Sequence, residues 1–178
     1  LRHGGEVRGM SFSPDGTQLI TAGEGPAARL WHVASGLPLV TLSSHGPPVD
    51  FVAFSPDGKR ILTGCEDQMV RLYDRGTGIL LASFRDHRDR VTSAAFSPDS
   101  SRIITASEDG TARIWTERPE GAFTTLSGNT QAIRQIEFSP DGTRLVSVGE
   151  DATVRVWDPR RGVPLAELVG HTDRVACA

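Results

Sequence analysis

The chain has 178 residues and carries 19 Lys and Arg against 22 Asp and Glu, a formal net charge of −3. This balance argues against a nucleic-acid-binding protein held by a basic stripe. Hydrophobic residues make up 38% of the chain and there are 19 glycines, which is ordinary for a globular protein and argues against disorder. The longest aliphatic run, 79–82, is far too short to span a membrane, so we expect neither a nucleic-acid nor a membrane partner.

The two cysteines, Cys65 and Cys177, are too few for a disulfide framework and are not spaced as a zinc site. They fit a reducing compartment, which favours a cytoplasmic protein. The run Gly23-Glu24-Gly25 lacks the later residues of a dinucleotide loop or a phosphate-binding loop. The sequence therefore predicts no metal, no cofactor and no catalytic residue.

An internal repeat dominates the sequence. The motif Phe-Ser-Pro-Asp begins at Phe12, Phe54, Phe96 and Phe138, always 42 residues apart. The aromatic residues Trp31, Tyr73, Trp115 and Trp157 keep the same interval. Four full copies, 3–44, 45–86, 87–128 and 129–170, follow one another without insertion, and 171–178 begins a fifth.

Each copy contains short segments rich in β-branched and apolar residues, none of them long enough for an ordinary helix. The third copy illustrates the pattern with segments at 91–96, 102–106, 111–115 and 123–126. The innermost strands are predicted near 7–13, 49–55, 91–97 and 133–139. The Ser-Pro-Asp-Gly link predicts a tight turn, in which Ser100 replaces the glycine at a cost below about 1 kcal/mol.

This repeat resembles the WD-repeat β-propeller family, and the resemblance covers essentially the whole chain. It implies an all-β fold, a β-propeller of four-stranded antiparallel blades, here an incomplete, open array of four blades forming one segment over 1–178. The missing blades are expected from a longer chain, with completion by a second copy as the alternative.

The family joins His, Ser or Thr, Asp and Trp of one repeat in a structural network. Carried over by position, the resemblance implies these members: His3, Thr21 and Trp31; His45, Thr63, Asp67 and Tyr73; His87, Thr105, Asp109 and Trp115; Asn129, Ser147, Asp151 and Trp157. The first copy has Gly25 where the acid belongs, and only the third copy is complete.

A His, a hydroxyl and an Asp also suggest a catalytic triad. We prefer the structural interpretation, because the set recurs in every copy and an indole N–H directed at the hydroxyl would occupy the nucleophile.

The resemblance also implies a partner-binding rim at one end of the propeller. Its members here are Glu6, Arg8, Glu24, Asp50, Glu66, Arg90, Thr92, Glu108, Arg134 and Glu150. The glutamates immediately before the tight turns have a second explanation, since the turn itself favours acidic or polar residues.

Three functions remain open. The first is a non-enzymatic protein-protein interaction scaffold that binds a protein or peptide partner, with a basic segment among the candidates. The second is the sensor or docking propeller of a multidomain signalling protein such as a kinase, and the third is a propeller enzyme acting as a hydrolase or lyase. The inner strands offer few converging acids or histidines for channel chemistry, which places the enzyme last.

Overall fold

The computed structural model describes residues 6–43, 46, 48–116 and 123–175. These residues form sixteen β-strands arranged in four separate sheets, and none of them is helical. Blade 1 contains β1 (Val7–Phe12), β2 (Gln18–Gly23), β3 (Ala27–His32) and β4 (Pro38–Ser43). Blade 2 contains β5 (Val49–Phe54), β6 (Arg60–Cys65), β7 (Met69–Asp74) and β8 (Leu80–Arg85).

Blade 3 contains β9 (Val91–Phe96), β10 (Arg102–Ser107), β11 (Ala112–Thr116) and β12 (Phe123–Leu126). Blade 4 contains β13 (Ile133–Phe138), β14 (Leu145–Gly149), β15 (Thr153–Asp158) and β16 (Val163–Val169). Strands pair antiparallel with their sequence neighbours in every blade. The predicted fold class, a propeller of four-stranded antiparallel blades, is confirmed.

The chain divides into two compact units, 1–86 and 87–178, each holding two blades. In unit 1 the strand β5 packs against β1, β2 and β3, and in unit 2 β13 packs against β9 and β10. The hydrophobic core of each unit therefore lies between its two blades. The second strands β2, β6 and β10 are buried almost throughout.

The hairpin between the first two strands is closed by side chains as well as by backbone. In blade 1 the Ser13 hydroxyl donates to Asp15 Oδ1 at 2.6 Å and accepts from the backbone N–H of Gln18 at 2.9 Å, while Thr17 N–H donates to Asp15 Oδ1 at 2.9 Å. Gly16 supplies the left-handed backbone at φ +68°.

Among the described residues, no helix is long and apolar enough to cross a membrane.

Ser100 has φ +60°, whereas the glycines at the same turn position in the other copies have φ of +67° to +69°. Replacing Ser100 with Gly should raise the free energy of unfolding by up to about 1 kcal/mol, because the side chain disfavours this backbone conformation. Urea unfolding measures the change. Gly16→Ser is the matched control: a Cβ there meets nothing within 4 Å, so only the conformational cost remains, and stability should fall. A gain in stability for Gly16→Ser would contradict the argument.

The same turns make the free energy of unfolding depend on pH. The Ser97 hydroxyl, with the Ser101 backbone N–H, lowers the pKa of Asp99 to about 2, and Ser139 and Thr143 lower the pKa of Asp141 to about 2. The pKa of an Asp in the unfolded chain is about 3.9, so these carboxylates stabilise the fold above that pH. We expect the free energy of unfolding to fall as pH drops from about 5 towards 2.

The control for this pH dependence is Asp141→Asn, which removes one titrating group. Its stability should change less steeply over the same pH range, as measured by urea unfolding at each pH. An identical slope in the variant and the parent chain would show that this turn does not contribute.

Candidate functional site

Blade 3 contains a continuous chain of buried hydrogen bonds. Trp115 Nε1 donates to Thr105 Oγ1 at 2.9 Å, and Thr105 Oγ1 lies 2.7 Å from His87 Nε2. His87 Nδ1 lies 3.0 Å from Asp109 Oδ2. One pattern of donors satisfies every member: Thr105 donates to Nε2 of a neutral His87, and Nδ1–H donates to the Asp109 carboxylate.

Asp109 anchors this chain to the tight turn. Burial by itself would raise the pKa of Asp109, but hydrogen bonds outweigh it and hold that pKa well below its usual range. The donors are the Thr111 hydroxyl, the backbone N–H groups of Arg88 and Thr111, and His87. The carboxylate is therefore ionised, and it fixes both the loop before β9 and the turn after β10.

Blade 4 repeats the arrangement with Asn129 in place of histidine. Trp157 Nε1 donates to Ser147 Oγ at 2.9 Å, but Ser147 Oγ to Asn129 Oδ1 is 3.4 Å and Asn129 Nδ2 to Asp151 Oδ2 is 3.5 Å. The shorter amide reaches the same partners at longer distances. The network in blade 4 is accordingly weaker than that in blade 3.

Blade 1 brings together only part of its set. Trp31 Nε1 donates to Thr21 Oγ1 at 2.8 Å, while His3 lies outside the described residues. Gly25 supplies no carboxylate, and a Cβ at that position would meet nothing within 4 Å.

Blade 2 departs further. Tyr73 directs its hydroxyl to the Ser43 carbonyl of blade 1 at 3.1 Å. Thr63 Oγ1 is buried and has no hydrogen-bond partner among the described residues, and His45 lies outside them. Asp67 is held by Arg71. The aromatic position thus ties blade 2 to blade 1.

In each of the three blades whose tight turn holds the aspartate of the family network, an arginine four residues further along pairs with that aspartate. Arg71, Arg113 and Arg155 are buried and pair with Asp67, Asp109 and Asp151, respectively, through contacts of 2.5 to 3.4 Å. The sequence analysis did not identify these three ion pairs. The constant distance of four residues between the turn Asp and the arginine is the sequence feature that could have predicted these pairs.

The burial of these groups limits their chemistry. Thr105 is fully buried and its hydroxyl already accepts from an indole N–H, so no substrate can reach it as a nucleophile. Within the described part of the chain, no group of three His, Cys, Asp or Glu side chains is placed to hold a metal ion.

The rim is built by an irregularity in each innermost strand. The pairing with the second strand skips one residue per blade: Arg8, Asp50, Thr92 and Arg134. A bulged residue is left out of the ladder and its side chain is re-aimed. In blades 1, 3 and 4 the glutamate before the tight turn donates its backbone N–H to the carbonyl two residues before the bulge, at N···O distances of 2.9 to 3.1 Å. This hydrogen bond places the glutamate beside the bulged residue.

Two bulged arginines bridge neighbouring blades. In unit 1, Arg8 Nη1 lies 3.0 Å from Asp50 Oδ1 and 3.1 Å from Glu66 Oε1, so blade 1 is tied to blade 2. In unit 2, Arg134 pairs with Glu108 of blade 3 at 2.6 Å and with Glu150 of its own blade. Sequence analysis placed these residues on one rim but did not identify the bridges, because the repeat does not say which neighbour a side chain meets.

The other rim positions serve the backbone. Thr92 Oγ1 donates to the Ile133 carbonyl at 2.6 Å, so its hydroxyl is occupied within unit 2. Glu24 accepts from the Glu6 backbone N–H at 3.4 Å. Arg90 N–H donates to Asp89 Oδ1 at 2.8 Å.

Comparison with known families decides the identity of the fold. The family model described as WD domain, G-beta repeat matches residues 1–32, 36–74, 78–116 and 122–158. The chain belongs to the WD40-repeat family. No curated protein matches it. WD40-repeat domains are generally scaffolds for protein interaction and are typically non-enzymatic.

The two WD40 hydroxyls Thr105 and Thr63 provide a direct test of the network. Thr105→Val leaves the Trp115 indole and His87 without their shared partner and should cost about 1–3 kcal/mol. Thr63→Val removes a hydroxyl for which the described residues show no pair of hydrogen bonds like that of Thr105, so it should cost less. Denaturant unfolding of both variants compares them. Equal losses would show that Thr63 has a partner of comparable strength.

Proposed function

We propose that this WD40-repeat chain is a non-enzymatic interaction module that binds a basic or arginine-containing protein segment at the rim of blades 1 and 2. The rim is solvent-exposed and is built on strands held rigidly by the blade cores. The hydroxyl of the one complete His-hydroxyl-Asp set is buried and consumed, which supports a binding role over catalysis.

The uneven charge of the two rims carries the proposal. In unit 1 the rim places Glu6, Glu24, Asp50 and Glu66 around the single Arg8, which contacts two of these carboxylates. In unit 2 the rim has two arginines for two glutamates, and Arg134 contacts both. A basic partner is therefore attracted to unit 1, whereas unit 2 is balanced.

Rim charges of this kind act mainly on the rate and selectivity of association. Complementary potentials steer the encounter of two partners, and exposed pairs add little affinity. The effect is screened over about 8 Å at physiological ionic strength. A basic partner should thus bind with a pronounced dependence on salt.

Glu6→Lys should slow the association of a fluorescent peptide of alternating Arg and Ser several-fold, because it reverses one carboxylate of the acidic rim. The matched control is Glu137→Lys, an equally sized charge change at an exposed residue of unit 2. Stopped-flow association rates of the parent and both variants, measured between about 0.03 and 0.3 M NaCl, provide the comparison.

Two results would contradict the proposal: equal slowing by both variants, or an association rate indifferent to salt. Asp99 and Asp141 are unsuitable controls, because their carboxylates close the hairpin turns and a reversal there would disturb the fold.

A further inference from the structure

An ion pair joins the two outer strands of blade 4. Arg155 of β15 stands directly opposite Glu167 of β16. Its Nε donates to Glu167 Oε1 at 2.9 Å, and its Nη1 contacts Asp151 of the tight turn at 2.5 Å. One buried arginine thus binds two carboxylates, and the second carboxylate belongs to an exposed residue of the outermost strand.

The position of Glu167 carries a hydroxyl in the other three blades. Steps of 42 residues back along the chain lead to three exposed residues: Thr125, Ser83 and Thr41. Each of them pairs across the sheet with an arginine, in the same order Arg113, Arg71 and Arg29. Three blades therefore place a modifiable hydroxyl where the fourth blade places a carboxylate.

Ser83 has the most basic surroundings of the three hydroxyls. Arg85 follows it by two residues on β8, so both side chains lie on the same face of the strand. The residues at the position of Arg85 in blades 1 and 3 are Ser43 and Ser127, which carry no charge. Ser83 thus has one arginine opposite it and a second arginine beside it along the strand.

Arg71 is anchored in the same way as Arg155. It is 8% exposed, and its Nη1 and Nη2 contact the Asp67 carboxylate at 3.3 and 2.5 Å. Its Nε is the atom equivalent to the one that binds Glu167 in blade 4, and it forms no hydrogen bond with the described residues. An anion carried by Ser83 would therefore meet a positioned N–H donor.

We propose that Ser83 is a phosphorylation site and that Arg71 and Arg85 bind its phosphate. The phosphate oxygens of phosphoserine lie as many bonds beyond Cβ as the carboxylate oxygens of glutamate, so they reach the position that Glu167 Oε1 occupies in blade 4. A phosphoserine carries about −1.5 to −2 charges at pH 7 and forms strong charge-assisted hydrogen bonds with guanidinium groups. The phosphate thereby ties the outer strand β8 to β7.

The phosphate would come from a nucleoside triphosphate through a serine kinase. The bond from Ser83 Oγ to the γ-phosphorus forms as the bond from that phosphorus to the β-phosphate oxygen breaks. The nucleoside diphosphate leaves, and the hydroxyl proton passes to the base of the kinase. Ser83 is accessible to this reaction, because it is exposed and lies on the last strand of its sheet.

The test of phosphate binding uses the full chain with phosphoserine installed at position 83. Phosphorus NMR over a pH series measures the second pKa of the phosphate, which is ordinarily about 6. In the folded chain this pKa should lie below its value in the same chain unfolded in urea, because the nearby guanidinium groups favour the doubly charged form. Equal values in the folded and unfolded chain would overturn the proposal.

Three variants of the phosphorylated chain identify the groups that bind. Arg71→Gln and Arg85→Gln should each raise the phosphate pKa towards about 6. The matched control is Lys59→Gln, which removes the same charge from an exposed residue in the hairpin at the other end of blade 2 and should leave the pKa unchanged. Circular dichroism checks folding, and Arg85→Gln decides alone if the loss of the Asp67 pair unfolds Arg71→Gln. Equal effects of Arg85→Gln and Lys59→Gln would overturn the assigned site.

A second experiment tests the modification itself and needs no rim partner. The folded parent chain and Ser83→Ala are incubated with ATP and an extract of the cells that produce the protein, and phosphopeptides are identified by mass spectrometry. Phosphate on Ser83 of the parent chain, absent from Ser83→Ala, is the expected result. A parent chain that remains unmodified at Ser83 would overturn the proposal.

Discussion

A blade of this protein buries its apolar face only when the innermost strand of another blade lies against it. Among the described residues, eleven buried core residues in unit 1 and ten in unit 2 join the two blades of each unit. Complete burial of one large aliphatic side chain contributes about 1.5–3 kcal/mol, whereas one net hydrogen bond contributes about 1 kcal/mol. The packing between blades, rather than any single polar network, therefore dominates the stability of each unit.

This difference in magnitude explains why the His-hydroxyl-Asp-Trp set tolerates substitution. Blade 3 has the full set, and blade 4 keeps the order of contacts at longer distances with Asn129. Blade 2 uses the aromatic position for a bond to the neighbouring blade. Each change affects a few hydrogen bonds, while the apolar residues that join the two blades of each unit stay buried. A repeat can therefore lose part of its polar network without losing its place in the array.

The repeat period made the strands predictable to within about one residue at the innermost positions. The observed strands begin at Val7, Val49, Val91 and Ile133, as the motif spacing predicts, because an exact period fixes the register of every copy once one copy is interpreted. The rim residues were grouped by the resemblance to the WD-repeat family, and their role as a partner-binding rim stays a prediction. Their ion pairs could not be predicted, because the repeat does not say which carboxylates a bulged arginine meets: Arg8 pairs with Asp50 and Glu66, and Arg134 pairs with Glu108 and Glu150.

In each innermost strand the paired residues build the blade, whereas the bulged residue sets the charge of the rim. The residue before each bulge is apolar (Val7, Val49, Val91 or Ile133), whereas the bulged residue itself, released from the ladder, is an arginine, an aspartate or a threonine. An arginine there recruits glutamates from two blades and lowers the local negative charge, whereas an aspartate adds to that charge. Single substitutions at these four positions change the charge of the rim and leave the packed faces intact, so under the proposed function they would change which partner segment the rim attracts.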